Sequence, residues 1–108
     1  MTKRIPHVTG LTVQPGYWLR LTFDDGLTGD VDLSGLIERG GVFAPLRDRK
    51  MFEQAFVDPA AHTVAWSAGE LDLDPEGLHE MALEHPVAVE RRRRLRLASL
   101  VKQTRAAL

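Results

Sequence analysis

The chain has 108 residues, of which 44% are hydrophobic and 27% charged, as is typical of one folded domain and not of a chain disordered throughout. It contains no cysteine, which excludes a disulfide framework, a thiolate nucleophile and a cysteine-ligated zinc site. No apolar segment follows the N-terminus, and no run of about 18 apolar residues is present to span a membrane. The sequence therefore predicts a cytoplasmic protein without membrane contact.

The net charge of −1 hides two regions of opposite sign. Residues 1–89 contain seven Lys or Arg and fourteen Asp or Glu, a charge of −7, whereas residues 90–108 (the basic segment) contain seven basic residues against Glu90, a charge of +6. Such asymmetry is typical of an interaction tail. It is equally compatible with a tail that folds back on its own acidic body.

Alternation of apolar and polar residues predicts two strands joined by a tight turn. Every second residue from 17 to 23 is apolar, and a second alternation runs from residue 27 to 33. Between them, Asp25-Gly26 readily supplies the positive φ angles of a hairpin turn. Residues 8–13, which Pro15-Gly16 closes off, are predicted to form a preceding strand of the same meander.

Short helices and a second hairpin are predicted in the middle of the chain. Ser34 is expected to cap a short helix that ends at Gly40-Gly41, and residues 48–54 are expected to form another helical turn. Residues 55–57 and 63–66 flank a loop that begins with Asp58-Pro59, so they are predicted to pair.

The C-terminal part is predicted to be helical. The Asp74 carboxylate can accept bonds from free amides at a helix start, and Pro75 needs no donor at the first helical position, so a helix is expected over residues 75–84. His85-Pro86 is expected to break it, and Pro86 to begin a new helix. Helical spacing in the basic segment is shown by Leu97, Leu100, Val101 and Leu108.

These elements predict an α+β fold. An antiparallel sheet of about five strands, arranged in meanders and hairpins, is expected to pack with short helices and to be followed by a C-terminal basic amphipathic helix. The core domain is expected over residues 1–84 and the basic helix over residues 85–108.

Few patterns typical of catalysis or metal binding are present. The four histidines are scattered, and no two of them are three or four residues apart as zinc ligands on one helix would be, which favours isolated histidines. No nucleophile elbow, phosphate-binding loop or dinucleotide-binding pattern occurs. We therefore predict no metal, no cofactor and no enzyme activity.

Two groups of carboxylates have a competing chemical interpretation. The stretch Asp72-x-Asp74-x-Glu76-Gly77 resembles the first half of a calcium loop, but Leu83 stands at its twelfth position and Pro75 lies inside it, so helix capping is the better interpretation. Asp30 and Asp32 share one strand face, where they could act together in acid–base chemistry. A solvated sheet face is the more ordinary interpretation.

The basic segment carries the strongest indication of a partner. Consecutive arginines on a helix point in all directions around it, so some of them face solvent or a partner whatever the packing. No aromatic residue follows Trp66, so a stacking platform for single strands is lacking, and duplex backbone or an acidic protein surface is the expected target. The predicted partner-binding residues are Arg91, Arg92, Arg93, Arg94, Arg96, Lys102 and Arg105.

Three short motifs follow one another along the chain. They are Phe23-x-Asp25-Gly26-x-x-Gly29-x-Val31-Asp32-Leu33, then Phe43-x-x-Leu46 with Phe52, then Trp66-x-x-Gly69-x-Leu71-Asp72-Leu73-Asp74-Pro75-x-x-Leu78. Over roughly residues 8–79, this ordered set resembles the bacterial Domain of Unknown Function 2442 family. The residues of the resemblance to which we assign structural roles are Asp25, Gly26, Asp32, Trp66, Asp72, Asp74 and Pro75.

The resemblance implies an α+β fold and no established enzyme activity. Members of this family are often encoded beside a small toxin-like partner, and some are proposed to be antitoxins of type II toxin–antitoxin pairs. Some related chains carry a C-terminal helix-turn-helix, for which residues 84–108 are too short. His79 also stands where family members often have an aromatic residue.

We therefore predict a non-catalytic protein-interaction module, antitoxin-like, that binds an acidic protein partner such as a small toxin through its basic C-terminal helix. The alternative is a nucleic-acid-binding regulatory protein that contacts phosphates through the same helix. An enzyme that uses the carboxylates of Asp30 and Asp32, or of Asp72 and Asp74, ranks last. A homodimer is a further expectation, because the apolar stripe of the basic helix must be covered by its own sheet or by a sister chain.

Overall fold

The computed structural model describes residues 4–88, which begin with a three-stranded antiparallel meander. Its strands are β1 (Val8–Val13), β2 (Trp18–Phe23) and β3 (Thr28–Asp32), in the order β1-β2-β3. Buried and partly exposed residues alternate along β2 and β3, because successive side chains of a strand point to opposite faces. The predicted hairpin is confirmed, and Gly26 adopts a φ of 91° in its turn.

Short helices connect this sheet to the second one. They are α1 (Ser34–Arg39), a 3₁₀ helix (Gly41–Arg47) and α2 (Arg49–Phe52). The prediction that Ser34 caps α1 is wrong, since Leu33 occupies the cap position and makes no side-chain cap bond. Instead, the Ser34 N–H donates to Asp32 Oδ1 at 2.9 Å, so a carboxylate two residues upstream satisfies the start of the helix.

The second sheet is also antiparallel and three-stranded. It contains β4 (Phe56–Asp58), β5 (Thr63–Trp66) and β6 (Leu71–Asp72), in the order β4-β5-β6. The predicted pairing of β4 with β5 is confirmed. The α+β class is also confirmed, but the described residues form six strands in two sheets where we expected one sheet of about five.

The helix α3 (Pro75–Glu84) has the predicted bounds. The carboxylate of Asp74 accepts hydrogen bonds from the N–H groups of Glu76 and Gly77, at 3.2 and 3.3 Å. Since the first amides of a helix have no partner within it, this contact stabilises the helix start.

Gly29 allows α3 to approach β3 closely. A Cβ placed on Gly29 would lie 2.4 Å from the carbonyl oxygen of Ala82 and 2.7 Å from its Cβ. Ala82 is fully buried, as is nearly all of Leu78 one turn earlier. The contact between Gly29 and Ala82 therefore sets the distance between α3 and the first sheet.

One hydrophobic core joins the two sheets and the helices. Its largest fully buried side chains include Trp66, Phe23 and Phe52. The indole Nε1–H of Trp66 donates to the carbonyl of Phe52 at 3.0 Å, so the one polar atom of this side chain is satisfied inside the core. Among the helices of residues 4–88, none combines the length and apolarity that crossing a membrane requires.

After α3 the chain turns back along the free edge of β3. The N–H of Asp30 donates to the carbonyl of His85 at 3.0 Å, and Pro86 forms an antiparallel bridge with Gly29. The prediction that Pro86 begins a new helix is therefore wrong, because this residue extends the first sheet. The rest of the predicted basic helix, residues 89–108, lies outside the described residues and stays a prediction, as does the division of the chain at residue 84.

Candidate functional site

All seven predicted partner-binding residues belong to the basic segment, which lies outside the described residues 4–88. Their contact with a partner therefore stays a prediction. What the structure does describe is residues 4–88, which we call the acidic body. Within these residues, both candidate sites lie beside α3.

The turn between β2 and β3 is organised by Asp25. Its Oδ1 accepts the N–H of Leu27 at 3.0 Å, and its Oδ2 lies 2.7 Å from Nε2 of His79 on α3. The bond from the Leu27 N–H, supported by the bond and charge of His79 and opposed by burial, lowers the pKa of Asp25 below its ordinary value. The carboxylate thus links the turn to α3 while it remains ionised.

Two other acidic residues of the motifs, Asp32 and Asp74, also have structural partners. Asp32 bonds the start of α1, and Asp74 caps α3. Asp72 is exposed in the short strand β6, opposite Ala65 of β5. The calcium interpretation of residues 72–77 finds no support in this geometry, because the carboxylate of Asp74 is turned to backbone amides.

Asp30 and Asp32 do not act on a common partner. Asp30 accepts two hydrogen bonds from Arg20, one from Nε at 2.9 Å and one from an amino group at 3.1 Å. The Arg20 hydrogen bonds are the main reason that the pKa of Asp30 is lowered, while the same contact raises the pKa of Arg20. Both groups are therefore held in their charged forms.

A first cleft lies between the β2–β3 turn and the first half of α3; we call it the hairpin cleft. Its volume is about 280 Å³, and it is lined by Arg4, Pro6, Asp24, Asp25, Glu76, His79 and Glu80. Arg4 forms an ion pair with Asp24, and His79 is bonded to Asp25. Two of the four carboxylates that line this cleft, those of Asp24 and Asp25, are therefore already bonded to other residues of the cleft.

A second cleft lies at the other end of α3, beside the outer face of the first sheet; we call it the tryptophan cleft. Its volume is about 360 Å³, and it is lined by Trp18, Asp32, Met81, Glu84 and His85. The rings of Trp18 and His85 meet edge to face, with centroids 5.4 Å apart and an interplanar angle of 69°. Residues of the strands and of α3 with its cap thus line one concave surface.

Both clefts contain carboxylates of α3. Glu76, Glu80 and Glu84 follow at intervals of four residues, which places them along one side of the helix. No group of three or more His, Asp or Glu residues within residues 4–88 has the arrangement of a metal site. The acidic side of α3 is thus a surface suited to bind cationic groups by charge.

The sequence alone does not indicate the tryptophan cleft. Trp18 and His85 are far apart along the chain and belong to no common motif, and they meet because the chain after α3 returns along β3. The pairing of Trp18 with Asp32 across the hairpin is the one relation that the predicted register could have revealed.

Comparison with known proteins gives a structural relative. No curated protein matches this chain. The fold is similar to that in the crystal structure of a Nitrosomonas europaea protein named "putative DNA binding protein", with 22% sequence identity and a TM-score of 0.66. The match covers 78% of this chain and 54% of that one, so the chain spans little more than half the length of this relative.

The family comparison agrees with the motifs. The model described as "Protein of unknown function (DUF2442)" matches residues 8–84, a range that begins at β1 and ends with α3. This range covers both sheets and every helix of the described chain. The chain therefore belongs to the family of proteins of unknown function DUF2442.

Proposed function

We propose that this chain is a non-catalytic protein-interaction module, antitoxin-like, whose basic segment binds an acidic protein partner. The observation that carries the proposal is the separation of charge, −7 over residues 1–89 and +6 over residues 90–108. A concentrated positive charge raises the rate and the specificity of association with a negatively charged surface. The resemblance to a family often encoded beside toxin-like proteins supports a small toxin as that partner.

Many carboxylates of the body accept hydrogen bonds from the body itself, which supports an outside partner for the basic segment. Eight of the fourteen carboxylates accept hydrogen bonds from groups of residues 4–88. These eight are Asp24, Asp25, Asp30, Asp32, Asp48, Glu53, Asp58 and Asp74. Each such bond reduces what that carboxylate would gain from a guanidinium group.

The experiment for a protein partner is coexpression of the chain with the product of the neighbouring reading frame. We expect the two proteins to copurify, and the double variant Arg91→Ser/Arg93→Ser to weaken the complex at least about tenfold, since charge-assisted contacts at an interface are lost. The matched control is Arg39→Ser/Lys50→Ser, which removes two exposed positive charges from the body. Equal weakening by both pairs would refute a role for the basic segment.

An antitoxin also has to neutralise its partner. If the neighbouring product stops growth when it is expressed alone, coexpression with this chain should restore growth, and the Arg91→Ser/Arg93→Ser variant should restore it less well. Unchanged rescue by this variant would contradict binding through the basic segment. Loss of rescue by the control pair as well would point to folding or expression instead.

Nucleic-acid binding is the second candidate, favoured by the name of the structural relative from Nitrosomonas europaea. In that case the basic residues would neutralise phosphates. If about four phosphates are contacted, affinity for duplex DNA should fall roughly a hundredfold between about 50 and 200 mM salt, with little dependence on base sequence. Fluorescence anisotropy of a labelled duplex measures this slope, and an absence of binding at the lower salt concentration would remove this candidate.

Self-association belongs to the same proposal. The apolar stripe of the basic segment, Leu97, Leu100, Val101 and Leu108, would be covered by a sister chain in a homodimer. Sedimentation equilibrium of the intact chain should then give a dimer mass that falls to the monomer mass in Leu97→Glu. A monomer mass for the unmodified chain would refute it.

A further inference from the structure

The tryptophan cleft has the composition of a site for a cationic side chain. Strand β2 contributes an aromatic ring through Trp18, and two carboxylates come from different elements, Asp32 at the end of β3 and Glu84 at the end of α3. Its volume of about 360 Å³ is within the range of small-ligand pockets. An aromatic ring beside carboxylates is an arrangement that attracts organic cations, since the ring face and the carboxylates are both negative.

The register of the first sheet holds the ring next to one of the carboxylates. Trp18 and Asp32 are directly opposite each other across β2 and β3, so their Cβ atoms are about 5 Å apart and their side chains project from the same face. The edge-to-face contact with His85 supports the indole ring from the side of α3. The ring and the carboxylate are therefore positioned before any ligand binds.

The end of α3 adds negative potential to the same place. A helix of ten residues carries a partial negative charge at its C-terminus. The last turn of α3 contains no basic residue to offset this charge, and it ends with Glu84. A carboxylate at this end of a helix is unfavourable, and a cation in the cleft would relieve the repulsion.

No lysine or arginine of the described residues lines the cleft. Arg20, two residues after Trp18 on β2, is held by Asp30 through two hydrogen bonds. Of the two carboxylates that line the cleft, Asp32 uses Oδ1 to accept the N–H of Ser34. Its second oxygen and the carboxylate of Glu84 form no salt bridge within residues 4–88.

From these observations we propose that the tryptophan cleft binds an arginine side chain from a basic peptide segment of a partner protein. The planar guanidinium group stacks on the indole ring of Trp18 and donates hydrogen bonds to the carboxylates of Asp32 and Glu84. Arginine fits this arrangement better than lysine, because a guanidinium can stack on an aromatic face and present several donors in one plane, whereas an ammonium group is a compact point charge. The five residues that line the cleft all precede the basic segment in sequence.

The experiment is a titration of the intact chain with an acetylated, amidated tetra-arginine peptide at about physiological ionic strength. Tryptophan fluorescence reports binding, because Trp18 lines the cleft whereas Trp66 is fully buried. We expect a saturable change in fluorescence that is absent in Trp18→Phe. A tetra-lysine peptide should bind several-fold more weakly than the tetra-arginine peptide. The same titration of Arg91→Ser/Arg93→Ser tests whether arginines of the chain itself compete with the peptide.

The decisive variant is Asp32→Asn/Glu84→Gln. An asparagine at position 32 still accepts the Ser34 N–H, so this variant keeps the start of α1 while it removes both charges from the cleft. We expect calorimetry to show binding about tenfold weaker. The matched control is Glu38→Gln/Glu70→Gln, two exposed carboxylates that do not line the cleft.

Three results would overturn the proposal. The first is the absence of saturable binding by the tetra-arginine peptide. The second is equal weakening by the cleft variant and by the control pair, which would mean that net charge alone attracts the peptide. The third is unchanged affinity of Trp18→Phe in calorimetry, which would exclude the aromatic wall.

Discussion

Gly29→Ala is the substitution for which the structure predicts the largest effect of a single added methyl group. The new Cβ would lie 2.4 Å from the carbonyl oxygen of Ala82, 2.7 Å from its Cβ and 2.9 Å from its carbonyl carbon. Two of these three atoms are backbone atoms of α3, which cannot move away by rotation of a side chain. The helix as a whole has to retreat from β3, and Leu78 and Ala82 then lose part of their burial.

The expected loss follows from these distances. An added methyl group in a close-packed core typically costs 1–3 kcal/mol, and the contact with backbone places Gly29→Ala near the upper end, about 2–3 kcal/mol. In a domain of 60–100 residues, each kcal/mol lowers the melting temperature by about 4–8 °C. We therefore expect a decrease of about 10–20 °C.

Thermal unfolding followed by far-UV circular dichroism measures this shift, and urea denaturation followed by tryptophan fluorescence gives the free energy. Gly35→Ala is the matched control, since a Cβ at this position of α1 meets no atom within 4 Å and alanine favours a helix. A melting temperature of Gly29→Ala within about 3 °C of the control would refute the reasoning. Full rescue by Ala82→Gly would place the clash at the Ala82 Cβ and not at the carbonyl.

Three further substitutions test other contacts. Asp74→Ala removes the cap of α3 and should cost about 0.5–2 kcal/mol in urea denaturation, whereas Asp72→Asn in β6 should change little. Arg20→Gln should raise the pKa of Asp30 towards its ordinary value in an NMR titration. The lowered pKa of Asp30 stabilises the fold at pH values above the ordinary aspartate pKa, and this contribution is lost as the pH falls through the pKa of the folded state. The variant should therefore lose less stability on acidification than the unmodified chain does. Trp66→Phe should cost at least about 1–3 kcal/mol, since a smaller ring replaces the fully buried indole and the hydrogen bond to the Phe52 carbonyl is lost.

Local sequence signals predicted those elements whose stabilising contacts are themselves local. The hairpin of β2 and β3 follows from alternation and from Asp25-Gly26, and the start of α3 follows from Asp74-Pro75, because each contact joins residues close in sequence. The separation into two sheets was not predictable in this way. The strand β6 has two residues, too few to show alternation, and it is defined by its pairing with β5.

The wrong predictions at Ser34 and Pro86 have a common cause. In both cases a residue suited to begin a helix has a neighbour that offers a better contact. The Asp32 carboxylate bonds the amide of Ser34, so the helix starts one residue earlier than a serine cap would place it. Pro86 lies beside the free edge of β3. Its neighbours His85 and Val87 make the hydrogen bonds to β3, so the nitrogen of Pro86 faces away from the strand and its missing N–H costs nothing.

The tryptophan cleft and the contact at Gly29 are physically connected. Met81 and Glu84, which line the cleft, lie on either side of Ala82 in sequence, so the approach of α3 to β3 also sets the distance between the walls of the cleft. A pre-formed site avoids part of the entropic cost of ordering its side chains on binding. Gly29→Ala should therefore weaken tetra-arginine binding even at temperatures where the variant is fully folded. Asp74→Ala destabilises α3 from its opposite end and should leave the affinity unchanged under the same conditions, so an equal loss in both variants would contradict this connection.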